Sequence, residues 1–200
     1  MRCAIVLAAG RSARMGTQKV LLPLGGAPVI ALIVDRLGRA SIDRILVVIG
    51  HDSDRVVEAL RGRPVTIVVN PDPGAGMLSS VRCGLRALPP GCEAVLVVLG
   101  DQPRISPEVV DAMLRAHEEE SAGAAVKKGI VVPIHGGRRG HPILFSARYR
   151  DEVLERFDGV GLRGLLAAHP DEVLELEVAD ASVLSDMDTP EDYRREIAGS

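Results

Sequence analysis

Aromatic side chains are nearly absent: the 200 residues include no Trp, two Tyr and two Phe. Proteins that hold single-stranded nucleic acid stack its bases on aromatic faces, so that class is excluded. A dominant charge of one sign is missing as well. Lys and Arg number 24 against 27 Asp and Glu, a net charge of −3, and nothing in that balance draws the chain to nucleic acid or an anionic lipid surface. Lysine itself is rare, at Lys19, Lys127 and Lys128 only. Long apolar runs are missing too: the longest, residues 3–9, falls far short of the ~18 residues of a membrane-spanning helix. Arg2 before that run and Ala8-Ala9 at its end imitate a secretory leader, but the glycine-rich segment that follows requires the run as a strand. Cysteine is scarce: Cys3, Cys83 and Cys92 form no CxxC pair and leave an odd thiol, which fits a reducing compartment better than a disulfide framework. A cytoplasmic location is expected.

What the chain has is aliphatic bulk. Hydrophobic residues make up 46% of it, and a chain of this length buries about 70% of the surface its unfolded form exposes. One domain is expected, since domains run to roughly 100–200 residues. Residues 3–7, 44–49, 65–69 and 94–99 are short apolar runs rich in Val, Ile and Leu, the composition of strands buried on both faces of a parallel sheet. Between them, Val29, Ile30, Ile33, Val34 and Leu37, then Val56, Val57 and Leu60, then Val81, Leu85 and Leu88 keep helical spacing. Strands alternating with helices predict right-handed βαβ units in an α/β sandwich. Ser106-Pro107-Glu108 and Thr189-Pro190-Glu191-Asp192 each predict a helix start, with a hydroxyl cap, proline at the first position and acid in the first turn. Residues 130–134 and 173–178 are further strand candidates, and 136–140 reads as a loop.

The first strand runs into Leu7-Ala8-Ala9-Gly10-Arg11-Ser12-Ala13-Arg14-Met15-Gly16, with Lys19 three residues on. A glycine-rich turn after the first strand of an α/β sheet lets backbone N–H groups face phosphate oxygens. The spacing after Gly10 is wrong for a dinucleotide fingerprint. It is not a Walker A loop either, because Lys19 is separated from Gly16 and no Ser or Thr follows it. The alternatives left are a solvated loop and a triphosphate site served by Arg14 and Lys19.

This run, followed by Leu21-Leu22-Pro23 and Gly25-Gly26, resembles the signature of the molybdenum-cofactor-type nucleotidyltransferases, and more closely the molybdenum cofactor cytidylyltransferases. The resemblance recurs from Asn70-Pro71 through Gly76-Met77-Leu78-Ser79-Ser80-Val81 to Gly84-Leu85, at Gly100-Asp101-Gln102-Pro103, at Arg139-Gly140-His141-Pro142 and at Asp186-Met187-Asp188. It implies a Rossmann-like three-layer α/β/α sandwich with a mostly parallel mixed sheet. It also implies that residues 1–104 bind nucleotide, while 105–200 bind the acceptor and complete the metal site. The implied nucleotide set is Leu7, Ala8, Ala9, Gly10, Arg14, Lys19, Asn70, Ser79, Ser80 and Asp101, with Arg14 and Lys19 on the triphosphate. Ser79 and Ser80 have a plainer alternative as helix caps. Ala9, where guanylyl-transferring relatives carry glycine, favours cytidine. Gly140, His141, Pro142 and Arg163 would face the acceptor.

A carboxylate at the end of a buried strand sits at the ligand crevice of an open α/β sheet, and there Asp101 can hold Mg²⁺, which prefers hard oxygen ligands and keeps several waters. In extended chain Asp186 and Asp188 point the same way. By the resemblance Asp101 and Asp186 are the metal pair, with Asp188 as a third candidate. The implied reaction is Mg²⁺-dependent transfer of CMP from CTP to the phosphate of a molybdopterin-type acceptor, catalysed by Arg14, Lys19 and Asp101, with release of pyrophosphate. Competing readings are the same chemistry with GTP or another phosphorylated acceptor, and a non-catalytic chaperone delivering cofactor to a client molybdoenzyme.

Overall fold

The computed structural model describes residues 1–10, 18–50, 53–123 and 128–198. Every apolar run singled out above becomes a strand. In chain order the elements are β1 (Arg2–Ala8), β2 (Pro23–Leu24), β3 (Ala27–Pro28), α1 (Val29–Leu37), β4 (Arg44–Ile49), α2 (Ser53–Ala59), β5 (Val65–Val69), α3 (Met77–Arg86), β6 (Ala94–Leu99) and α4 (Pro107–Gly123). They continue with β7 (Ile130–His135), β8 (Arg138–Arg139), β9 (Ile143–Ser146), α5 (Arg150–Glu155), α6 (Leu162–Ala168), β10 (Val173–Glu177) and α7 (Pro190–Ala198), interspersed with short 3₁₀ turns.

The main sheet runs β10-β7-β9-β6-β1-β4-β5, with β8 paired to β7. Strands β5, β4, β1 and β6 are parallel neighbours, and β10 is parallel to β7. Strand β9 is inserted antiparallel between β6 and β7, and the short β8 pairs antiparallel with β7. The small pair β2–β3 is a separate antiparallel hairpin.

Alternation along the strands makes the three layers. Ala4, Val6 and Ala8 of β1 pack with α1, α2 and α4 on one face, through side chains such as Ile33, Val56 and Met113. Ile5 packs on the other face with Val81 and Leu85 of α3, Val153 of α5 and Leu165 of α6. This is the α/β/α sandwich with a mostly parallel mixed sheet that the resemblance implied. Both marked helix starts are realised: Val109 N–H reaches Ser106 Oγ at 3.4 Å, and Thr189 Oγ1 and Asp192 Oδ2 each accept from the other's backbone N–H, at 3.2 and 2.7 Å. That reciprocal pairing is a capping box. No helix among the described residues is long and apolar enough to cross a membrane.

Chain order departs in opposite directions from β1, to β4 on one side and β6 on the other. A crevice outside the carboxyl ends of the strands is expected at such a switch point, and there it lies.

Candidate active site

The floor of the crevice is set by how closely β1 and β6 approach. Gly100 N donates to Leu7 O at 3.0 Å, and a Cβ at Gly100 would run into that same carbonyl oxygen. Glycine is therefore what lets β6 end against β1 and deliver the next residue, Asp101, to the crevice. A cavity of about 340 Å³ opens there, lined by Leu7, Ala8, Ala9, Gly10, Lys19, Ser80 and Asp101, among others. Those seven belong to the nucleotide set drawn from the sequence. Arg14 lies outside the described residues.

Lys19 begins a 3₁₀ turn whose Val20 is buried in the core. Its Nζ lies 2.6 Å from Asp188 Oδ1 and 3.4 Å from Asp101 Oδ2. Asp101 is mostly buried, and loss of hydration raises its pKa above the ordinary carboxylate value; Lys19 opposes that rise, while the charges of Asp186 and Asp188 add to it. The three aspartates come together through backbone contacts. Met187 N donates to Asp101 O at 3.1 Å, and the Met187 side chain is fully buried in the core. With Met187 turned inward, its neighbours Asp186 and Asp188 are turned outward together, as extended chain requires. Asp188 N also donates to Asp192 Oδ2 at 3.1 Å, tying the segment to the α7 cap.

Among the described residues no group of three His, Cys, Asp or Glu side chains converges tightly enough to cage a metal alone. The donors that do meet here are carboxylate oxygens beside a phosphate-sized cavity. That set suits a hard divalent cation bound through one or two carboxylates, with water and substrate phosphate supplying the rest.

Asn70, Ser79 and Ser80 divide their work. Asn70 is buried at the end of β5, and its Nδ2 donates to Ser79 Oγ at 2.8 Å and Ser80 Oγ at 2.9 Å. Its Oδ1 accepts from Asp72 N at 3.0 Å. Ser79 Oγ faces the carbonyls of Gly76 and Asp72, at 2.8 and 3.0 Å, so it shapes the turn and does not line the cavity. Ser80 does line it. Neither serine caps α3: the cap position is Gly76, with φ of 93° and ψ of 177°, a conformation open essentially to glycine alone.

A second cavity of about 360 Å³ shares Gly76, Met77 and Leu99 with the first, and is lined further by His141, Ile143, Val160, Leu162 and Arg163. Gly140 and Pro142 are buried and serve to aim His141. Gly140 N donates to Pro133 O and His141 N to Val183 O, both at 2.8 Å, and a Cβ at Gly140 would collide with Val183 O. Burial lowers the pKa of His141, Asp186 acts against that, and Arg163 reinforces it. The His141 Nδ1 atom is buried with no hydrogen-bond partner. Asp186 thus acts electrostatically on Asp101 in one cavity and on His141 in the other.

Three features escaped sequence reasoning: the pairing of Asp188 with Lys19, the Val183 carbonyl that fixes Gly140, and the apolar wall of Val160 and Leu162. The doublet of glycines at 159 and 161, both at positive φ, was the available signal for the last. His135 and His169 are engaged elsewhere, His135 with Val178 O and His169 with Glu152 and Glu172.

Comparison with known proteins accords with this arrangement. The bifunctional protein GlmU of Symbiobacterium thermophilum is 38% identical over 125 residues, 62% of this chain and 26% of that protein. The chain thus spans about a quarter of the length of the GlmU relatives it matches. The molybdenum cofactor cytidylyltransferase of Escherichia coli is 27% identical over 190 residues, covering 94% of this chain and 92% of that one. Rv0371c of Mycobacterium tuberculosis, solved as a complex with manganese, superposes with a TM-score of 0.82 at 28% identity, over 99% of this chain and 98% of its own. The family model for the MobA-like NTP transferase domain matches residues 4–173. The chain belongs to that family.

Proposed function

We propose that the protein transfers CMP from CTP to the phosphate of a molybdopterin-type cofactor with release of pyrophosphate. The observation that carries this reading is the pair of adjoining cavities, one ending on Asp101 and Lys19, the other on His141 and Arg163, with a shared wall at Gly76, Met77 and Leu99. Two anionic substrates brought to that wall would meet phosphate to phosphate. The near full-length match to the E. coli cytidylyltransferase supports CTP and the pterin acceptor. Ala9, where guanylyl-transferring relatives carry glycine, supports cytidine in the same direction.

Attack on the α-phosphorus by a phosphate oxygen requires alignment and charge neutralisation more than a strong base. Asp101 and Asp186 would hold Mg²⁺, with Asp188 the third candidate. Bound there, the ion would supply charge neutralisation on the triphosphate and polarise the α-phosphoryl group. Lys19, together with Arg14, would stabilise the departing pyrophosphate. Ser80 and the backbone of residues 7–10 would bind base and ribose. His141, whose lowered pKa favours the neutral ring, would hydrogen-bond the acceptor, and Arg163 would neutralise its anionic group. The apolar side chains of Ile143, Val160 and Leu162 suit a flat ring better than a polyol, which favours the pterin over a sugar phosphate. The product would pass to a client molybdoenzyme. The three thiols are free, which suits a cytoplasmic setting.

Titration of CTP, GTP, ATP and UTP in the presence of Mg²⁺ tests the reading. CTP is expected to bind at least about tenfold tighter than the others, about 1.4 kcal/mol. A preference for GTP would overturn the base assignment, and binding of none would overturn the function.

A further inference from the structure

We propose that Lys19 is a built-in counter-cation of the carboxylate site, kept there by Asp188 as a positioning residue, so that a divalent cation gains the site only when a triphosphate draws the ammonium away. The proposal rests on the nucleotidyl-transfer reading and adds an order of events to it.

The geometry carries the argument. Lys19 and Asp188 are 169 positions apart, yet Nζ and Oδ1 stand at 2.6 Å, with Asp101 Oδ2 at 3.4 Å from the same nitrogen. The Lys19 side chain is only 11% exposed and that of Asp101 25%. Charge interactions there are stronger than in bulk water. Asp188, whose side chain is 49% exposed, and the exposed Asp186 both act on the largely buried Asp101, so Asp101 carries the crowding, and the ammonium relieves it. A divalent cation on Asp101 and Asp186 would take up the Asp101 carboxylate that Lys19 Nζ approaches at 3.4 Å, and the two cations exclude one another there. Asp188 is itself fixed from behind: its N–H donates to Asp192 Oδ2 inside the α7 capping box, at 3.1 Å. The backbone that carries the Asp188 carboxylate is therefore held in place. Lys19, in contrast, is a point charge on a flexible four-carbon stem, suited to leave a carboxylate for a phosphate. Its neighbour Val20 anchors the turn in the core, so the side chain can swing while the backbone stays.

The test is Mn²⁺ binding to the whole protein, read from the electron paramagnetic resonance signal of the free ion, with and without CTP. Without nucleotide, Lys19→Met is expected to bind Mn²⁺ about tenfold or more tighter than wild type, a difference of about 1.4 kcal/mol or more. Lys19→Arg, which keeps the charge, is expected to stay close to wild type. Equal Mn²⁺ affinity for Lys19→Met and wild type, or an equal gain in Lys19→Arg, would overturn the proposal. The failure of the underlying reading shows up separately, as wild type that lowers the free-Mn²⁺ signal no further than the same CTP does without protein. A second readout uses wild type alone. With three lysines in the chain, the side-chain NMR signal of Lys19 can be assigned by comparison with Lys19→Arg. It is expected to move when CTP is added without metal and to stay when Mg²⁺ is added alone; movement with Mg²⁺ alone would contradict the exclusion.

Discussion

The two cavities are built by different means. The first is made by strand ends: β1 and β6 stop side by side, and the residues just past their ends, Ala9-Gly10 and Gly100-Asp101, reach the crevice by continuing the strands. Its lining comes from residues 7–101. The second borrows Ala75–Leu78, Val97 and Leu99 from that half and completes itself with His141, Ile143 and residues 159–163. No parallel strand aims His141. It is held by backbone contact to Val183, just as Asp186 and Asp188 are held by contact of Met187 with Asp101. A parallel sheet places the first cavity by its own topology, whereas the second depends on pairs of distant segments meeting.

That contrast can be broken or sharpened by substitution. The largest effect is expected from Asp101→Asn, a fall in turnover on the order of 10²–10³, the size of losing one electrostatic contact to a transition state. Stability should move the other way. Burial raises the Asp101 pKa, so folding favours its protonated form, and that contribution is lost as pH rises from the ordinary carboxylate value through the raised one. At neutral pH the ionised carboxylate is a liability that asparagine removes. In EDTA, the Tm of Asp101→Asn should match or exceed wild type at pH 7 and lose that advantage in acid; a large destabilisation at pH 7 would make Asp101 a structural residue.

Gly140→Ala comes next. A methyl there meets Val183 O, and overpacking of this kind costs about 1–3 kcal/mol. Acceptor kcat/KM is expected to fall about tenfold, the equivalent of about 1.4 kcal/mol in transition-state binding, with little change in CTP affinity measured by calorimetry. Equal losses for both substrates would show that the two cavities are not separable. Asn70→Ala should do the reverse. It leaves the Ser79 and Ser80 hydroxyls and Asp72 N–H without their amide partner, at about 1–3 kcal/mol, and should weaken CTP more than the acceptor. The smallest effect is Thr189→Ala, which removes half of the α7 capping box for about 1 kcal/mol, a Tm loss of about 2–4 °C in a chain of this size.

The same contrast governs what could be read from the residues. Strands β1, β4 and β6 were legible because each is a largely apolar run buried on both faces. Strand β5 was legible from its Val and Ile content, although as the edge strand it leaves Thr66 and Val69 exposed and is not buried on both faces as expected. Asp101 was legible because it follows β6. The capping of α4 and α7 was legible because caps are local. Strand β9 was not. Its four residues follow Arg-Gly-His-Pro directly, and its antiparallel direction is dictated by β6 and β7 on either side, which no local pattern records. Ser79 looked like a base contact or a cap and is neither, because Asn70, nine residues earlier, turns its hydroxyl into the loop. The pairing of Lys19 with Asp188 joins segments 169 positions apart, and only the folded chain brings them together.

The most direct test of two adjoining anion sites is transfer itself. With CTP, Mg²⁺ and molybdopterin together, the protein should release one pyrophosphate for each cytidylylated pterin detected by mass spectrometry, and none when either substrate is left out. CTP binding with no pyrophosphate release in the presence of molybdopterin, or release driven equally well by a sugar phosphate, would contradict the account.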